Sequence, residues 1–472
     1  MQRNSLTFSG TSGFFYKPKL WWFYLLAYLK RHRKLSISSV VLIFVFFLGI
    51  WIFSSYFYKA SLVEGIVGTY TQRDIPEVVT KLLSQSLVSL DSSGKPVPNL
   101  VENWQVNNDS KIYIFRLKKN LTWIDGSPIK ASDINFTLSD VDVSVLDDRT
   151  IQFKISDSFS PFPTLLTKPI FKKDSLKGTG PYKIKAIRKD QIFVKKMTLT
   201  SKDKDLPNLT IKFYPNERIA RNALKLGEIQ TLLGITEISD LSSYKNLSVF
   251  RKTNYQQIVT IFYNTKDPIL ADENLRLALS FQAPSNTGEE EAKTSIPPNS
   301  WAYNPEVKDY LGNSEQSRIY LSKVQNLENL KSNQKNVITL TAVSSLKNVG
   351  EKIVQEWNKL GIKAVLRVES GIPQNFQALL ITQNIPIDPD QYSLWHSTQN
   401  TNLTKFSNPR IDKNLEDGRK TSNSESRKQK YKDFQKVLLD HAPATFLYFP
   451  KYNVIFMKKA EKNLFKVINL QI

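Results

Sequence analysis

Apolar and polar residues alternate over 112–117 and again over 150–155, the second run following a turn at Asp147-Asp148. This period of two predicts strands with one buried face. Two further runs, 182–187 and 191–197, are separated by Arg188-Lys189-Asp190 and predict paired strands; 209–214 closes this strand-rich half. Asn216 has the side chain of a helix cap, and the pattern behind it predicts a helix through Leu226. After an apolar strand over 258–263 the periodicity turns helical at 272–281, then gives way to a turn-prone stretch, 282–313. Beyond it, 337–342, 349–360 and 362–368 predict strand, helix and strand, with Gly361 ending the helix. An amphipathic helix over 428–440 and a strand over 445–448 follow. A strand-rich first half and an α/β second half predict two lobes, with the last segment crossing back to the first.

The amino-terminal sixty residues obey a different pattern. From Val40 to Phe53 the run is apolar apart from Gly49, and with its flanks it spans 35–58. That is roughly 24 residues, or about 36 Å of helix, enough to cross a bilayer. Lys30-Arg31-His32-Arg33-Lys34 precedes it, and no acid lies upstream. The positive-inside rule therefore keeps the amino terminus in the cytoplasm and sends everything after Tyr58 outside. A cleavable signal peptide is the competing reading. The length of the run, the missing small-x-small pair and the absence of a cysteine for lipid attachment favour an uncleaved anchor. Leu20 to Leu29, rich in aromatics, is too short to span and suits the headgroup layer. The expected organisation is a cytoplasmic segment 1–34, an anchor 35–58, a first lobe 61–265 rejoined by 446–472, and a second lobe 266–445.

Composition removes several chemistries. With no cysteine among 472 residues, disulfides, thiolate catalysis and thiolate metal sites are excluded. His32, His396 and His441 are the only imidazoles, and no two have a metal-ligand spacing, so no metal or cofactor is expected. The net charge of +22 raises the question of nucleic acid. Basic residues are spread along the chain and interleaved with acids, which reads as a solvated surface, and no nucleic-acid partner is expected. Gly178-Thr179-Gly180 lacks the P-loop lysine and precedes a strand, so it reads as a turn.

Between residues 86 and 138 a series of motifs becomes recognisable. Gly94-Lys95-Pro96-Val97-Pro98-Asn99-Leu100, Glu102-Asn103-Trp104, Trp123-Ile124-Asp125-Gly126-Ser127-Pro128 and Ser132-Asp133-Ile134-Asn135-Phe136-Thr137-Leu138 resemble, in order, the opening signature of the family 5 extracellular solute-binding proteins. Gly178-Thr179-Gly180-Pro181-Tyr182, Asp272-Glu273-Asn274-Leu275-Arg276, Phe406-Ser407-Asn408-Pro409 and Ala442-Pro443-Ala444 continue the resemblance, which covers roughly residues 65–458. The step from Leu138 to Val145 is shorter than the family usually has. The resemblance therefore implies an α/β, two-lobed periplasmic-binding-protein-like fold (type II, "Venus flytrap") with a reduced auxiliary subdomain, preceded here by one transmembrane helix.

The family likeness also implies a function. A monomeric, membrane-tethered binder would capture a peptide or similar small solute between its lobes and pass it to the permease and ATPase subunits of an ABC importer. The lobes would hinge near Tyr263-Asn264 and Tyr448-Phe449-Pro450. By family position Asp388 or Asp390 would receive a peptide ammonium group, with capping or turn formation as the alternative. Trp395 would stack on ligand or fill the core, Tyr70 and Thr71 would lie in the cleft, and Trp301 would border its entrance. His396 reads as a packing or hydrogen-bonding residue. An anchored receptor or sensor without a transporter is the alternative function; an envelope hydrolase using Asp388 and Asp390 lacks a marked nucleophile.

Overall fold

Strand Ser61–Val67 hydrogen-bonds in parallel to Asn208–Tyr214 on one side and Thr231–Ile235 on the other, at the centre of a seven-stranded sheet. In this computed structural model of the protein the described residues are 59–471, apart from 108, 137, 236–237, 239–240, 242, 286–287, 326 and 334–335, together with 27–28, 30–32, 34, 38–39 and 41–49. The sheet continues outward through the hairpin Tyr182–Asp190 and Phe193–Ser201. On its other side lie Lys451–Met457 and the edge strand Leu247–Thr253. The last long strand of the chain thus pairs inside the first sheet, and Leu62, Leu209, Leu232 and Ile455 form part of one buried core. Each such side chain, fully removed from water, contributes about 1.5–3 kcal/mol.

The hairpin turn falls at Gln191-Ile192, with Gln191 at φ 53°, rather than at Arg188-Lys189-Asp190. Those three residues lie on an edge strand with exposed side chains, so charge there does not interrupt the pairing. Gly178 and Gly180 form the turn before this hairpin. A Cβ on Gly178 would meet the Leu83 carbonyl oxygen at 2.2 Å, and one on Gly180 that of Leu82 at 2.5 Å. The turn thus packs directly against the backbone of helix Glu77–Leu83.

A smaller four-stranded sheet, ordered Val101–Val106, Ile112–Leu117, Thr150–Ile155, Val141–Asp147, encloses Phe115, Phe153, Phe162 and Trp123. Phe136 packs edge-on to Phe153, and Trp104 stacks on Phe115. Its outer strand, Val141–Asp147, has no counterpart among the elements expected from sequence; nearly all its side chains are exposed, so its alternation carries no burial signal.

The second large sheet has six strands, in the order Glu290–Glu291, Ala444–Phe449, Gln257–Tyr263, Ala378–Asn384, Ile338–Val343, Ala364–Glu369. The predicted strand–helix–strand is its parallel edge, with helix Lys347–Asn358 between the strands and Gly361 at φ 77° behind it. Helix Ser424–His441 begins earlier than expected because Asn423 caps it, accepting from Ser426 N.

The chain passes between the large sheets twice, at 254–256 and at Pro450. Asn254 N donates to Pro450 O at 2.8 Å, so the two crossovers run side by side. The first crossover therefore lies well before Tyr263-Asn264. The strand ending at Tyr263 is buried on both faces, which hides its allegiance, and its register with Ala378–Asn384 puts it in the second sheet. The chain thus changes sheet at 254–256 and at 450, whereas 265 and 446 are the lobe boundaries expected from sequence.

Of the expected anchor 35–58, residues 35–37, 40 and 50–58 lie outside the described residues. Residues 41–49 are helical, with apolar side chains such as Leu42 and Phe44 exposed. Among the described residues no helix is long and apolar enough to cross a membrane. Of the 20–29 segment only 27 and 28 are described.

Candidate ligand-binding cleft

In both large sheets the parallel strands end toward one cavity of about 1140 Å³ that also reaches the two crossovers. Ligands in α/β sheets bind beyond the carboxyl ends of parallel strands, where connections diverge. On the first lobe, strand Asn208–Tyr214 delivers helix Glu217–Lys225, capped by Asn216 Oδ1 accepting from Ile219 N. Ala220, Ala223 and Leu224 bury one face of this helix, which leaves Arg218, Arg221 and Lys225 to line the cavity. On the second lobe, strand Ile338–Val343 delivers Ser345 in the turn that follows it, and Asn348 and Lys352 on the next helix, Lys347–Asn358. Thr382 and Tyr448 line it from neighbouring strands.

Most charges in the cleft are engaged. Glu217 pairs with Arg221 at 2.7 Å, and Glu289 with Lys451 at 3.3 Å. Lys225 lies over the Tyr244 ring at 5.6 Å. Burial, aided by Glu289, pushes the Tyr448 phenol up to about 12, so it is a hydrogen-bond donor at neutral pH. Gly234 has φ 71°, and its bare Cα lets the Tyr452 ring lie where a Cβ would find it at 3.2 Å. Tyr452 lines the same wall, and burial raises its pKa.

None of the eight residues singled out from sequence lines this cavity. Asp388 is 5% exposed and accepts from both terminal nitrogens of Arg427, at 2.6 and 3.3 Å. Burial opposes the charge of Arg427, yet Asp388 and Tyr431 outweigh it and its pKa is raised. The Asp390 carboxylate accepts from Arg419 at 2.9 and 3.0 Å and from Tyr392 N at 3.1 Å. Arg419 in turn lies between the rings of Tyr392 and Phe159, and its carbonyl accepts from Ser160 N. The two carboxylates therefore hold protein arginines instead of standing open to a ligand, and the Asp390 pair pins the four-stranded layer to the second lobe.

The remaining six are also engaged within the protein. Trp395 is buried, 5.8 Å from Phe262, with Nε1 donating to Gln391 at 2.9 Å. Tyr263 is buried and its hydroxyl is 2.7 Å from that of Thr445; Asn264 donates to the Phe376 and Gln377 carbonyls. Trp301 packs edge-on to Tyr431 and beneath Arg427, while its backbone N donates to Ser93 O. Tyr70 donates to Val67 O, and Thr71 hydrogen-bonds Asp74. His396 stacks on Tyr392 and is 3.3 Å from Glu416, as expected of a packing residue. Among the described residues no cluster of His, Asp and Glu could hold a metal ion.

The sequence carries one signal for the cleft residues. The strand–helix–strand over 338–369 places its first connection, 344–347, at a strand's carboxyl end, where ligands bind. Arg218 and Lys352 carried no such mark, since a charge on a helix face reads as solvated surface.

Comparison with known proteins bears on this geometry. The family model described as bacterial extracellular solute-binding proteins, family 5 Middle, matches residues 95–405. The dipeptide-binding protein of Escherichia coli K12 is 22% identical, covering 82% of this chain and 90% of that protein. The oligopeptide-binding protein AppA of Bacillus subtilis is 22% identical over 80% of this chain and 85% of its own length. Among solved structures, NikZ of Campylobacter jejuni in complex with Ni(L-His) superposes with a TM-score of 0.65 at 20% identity, over 85% of this chain and 94% of that one. AppA of B. subtilis in complex with a nonapeptide gives 0.62 at 19% identity, over 87% and 99%. The motifs, the two sheets joined by paired crossovers and a family match over more than half the chain agree: this protein belongs to the family 5 bacterial extracellular solute-binding proteins and is an extracytoplasmic binding protein rather than an enzyme.

Proposed function

We propose that the chain captures short peptides in the cleft between its two large sheets and delivers them to the permease and ATPase of an ABC importer, as a monomer held at the membrane by residues 35–58. The observation that carries this reading is the cavity of about 1140 Å³ at the crossovers. It exceeds the ~300–1,000 Å³ of a usual small-molecule pocket, which suits an extended oligomer. Peptide is chosen because relatives named as dipeptide- and oligopeptide-binding proteins match along most of the chain. The rigid bodies would be 61–253 with 451–471, and 257–449. Closing them would need backbone rotation at 254–256 and around Pro450, with release or rearrangement of the contacts that Ser93 and Ser160 make to Trp301 and Arg419 across the two bodies. The apolar stretch and the basic run before it support the tether, which would keep the receptor near its permease and raise effective concentration.

The direct test is mass spectrometry of small molecules retained by the full chain purified in detergent. Short peptides are expected, and an exclusively sugar-like cargo would overturn the choice of ligand. Fractionation of cells should place the chain in the membrane, resistant to salt extraction; release by salt would remove the tether from the account.

A further inference from the structure

The charges in the cleft point to the end of the ligand that is read. We propose that the cleft grips its peptide through a negative group, the terminal carboxylate or an acidic side chain, and not through the terminal ammonium. This rests on the peptide reading above and adds which chemistry does the selecting. Three observations carry it. First, the carboxylates among the described lining residues, Glu217 and Glu289, each already hold a cation of the protein, Arg221 and Lys451. Second, Asp388 and Asp390, the acids in the region where an ammonium would be expected, are sealed by Arg427 and Arg419 and do not line the cavity. An ammonium entering the cleft would therefore have to share a carboxylate with a cation of the protein, whose like charge opposes it. Third, Arg218 and Lys352 line the cavity with no hydrogen-bond or ion-pair partner among the described residues, and they come from opposite lobes.

The third observation ties recognition to closure. Bringing the lobes together about 254–256 and Pro450 brings two like charges together, which disfavours the closed state of the empty protein. An anionic group between them turns that repulsion into two attractions, and a guanidinium suits a carboxylate because it can donate two parallel hydrogen bonds. Ser345 and Asn348 stand beside Lys352 on the same wall and can donate to the same group. The differential affinity of the anion for the closed form is what would drive closing.

The test uses the full chain and one mixed library of three- to five-residue peptides in three forms: unmodified, N-acetylated and C-amidated. Binding is read by native mass spectrometry and calorimetry. N-acetylated peptides should bind within about threefold of the unmodified ones, and C-amidated peptides without acidic side chains at least tenfold more weakly. The variant Arg218→Ala/Lys352→Ala, altered at two exposed positions and checked for an unchanged melting curve, should bind unmodified peptides as weakly as wild type binds the amidated ones. Loss of binding on acetylation with none on amidation would overturn the inference while leaving the peptide reading intact. Failure of every form would overturn the peptide reading; the charge of whatever the purified chain retains then decides, an anion upholding the inference and a neutral or cationic solute overturning it.

Discussion

Replacing Glu64 by glutamine should make the protein more stable at alkaline pH and leave it unchanged at acid pH. Glu64 lies in the central strand of the first sheet, fully buried, with Ile211 and Thr231 beside it in register. Its Oε2 accepts from Gln471 Nε2 at 2.8 Å, while its Oε1 and that of Gln471 find no partner among the described residues. Burial raises its pKa from 4.5 to about 7, against a smaller opposing effect of the Gln471 hydrogen bond. A carboxyl with a raised folded-state pKa binds its proton more tightly when folded. The stability it contributes is thus full below pH ~4.5 and is lost as pH rises through about 7. At about 1.4 kcal/mol per pH unit, that rise corresponds to roughly 3 kcal/mol. Glutamine is neutral throughout and nearly isosteric, so it escapes the loss. Urea unfolding of wild type and Glu64→Gln at pH 4.5 and pH 8.5 measures it. The variant should gain about 2–3 kcal/mol at pH 8.5 and nothing beyond a few tenths at pH 4.5. Equal pH dependence in the two proteins, or a variant weaker at pH 8.5, would refute the reasoning.

Further expectations concern the ion pairs and the tight turn. Asp388→Ala strands Arg427 in a buried site and should cost about 3–5 kcal/mol in thermal or urea unfolding, whereas Asp388→Leu with Arg427→Met should recover most of it. Arg419→Ala removes the contacts to Asp390, Tyr392 and Phe159, and should raise amide exchange in 101–117 and 141–155 before it affects the second sheet. Gly178→Ala forces its Cβ against the Leu83 carbonyl and should destabilise by about 1–3 kcal/mol; a neutral result would mean that the turn has slack.

What could be read from the residues was whatever depends on neighbours in sequence. The strand at 150–155, the cap at Asn216 and the helix end at Gly361 each express a local periodicity or a backbone requirement, and all three occur. What could not be read depends on partners far along the chain. Nothing near Asp388 and Asp390 shows that Arg427 and Arg419 come to meet them, 39 and 29 residues on. The strand Gln257–Tyr263 is apolar on both faces, so its pattern does not say which sheet it joins. Arg218 and Lys352 look like any solvated charge until two lobes place them in one cavity.

The central claim, that two lobes close about 254–256 and Pro450 on a captured solute, can be measured as a distance. Because the chain has no cysteine, spin labels can be placed cleanly at Leu226→Cys and Lys347→Cys, exposed positions next in sequence to the cleft-lining Lys225 and Asn348. With the full chain in detergent, pulsed dipolar spectroscopy is recorded before and after addition of the unmodified peptide library. The main distance should shorten and its distribution narrow on binding. An unchanged distance in a sample whose peptide binding has been verified by calorimetry would contradict the claim.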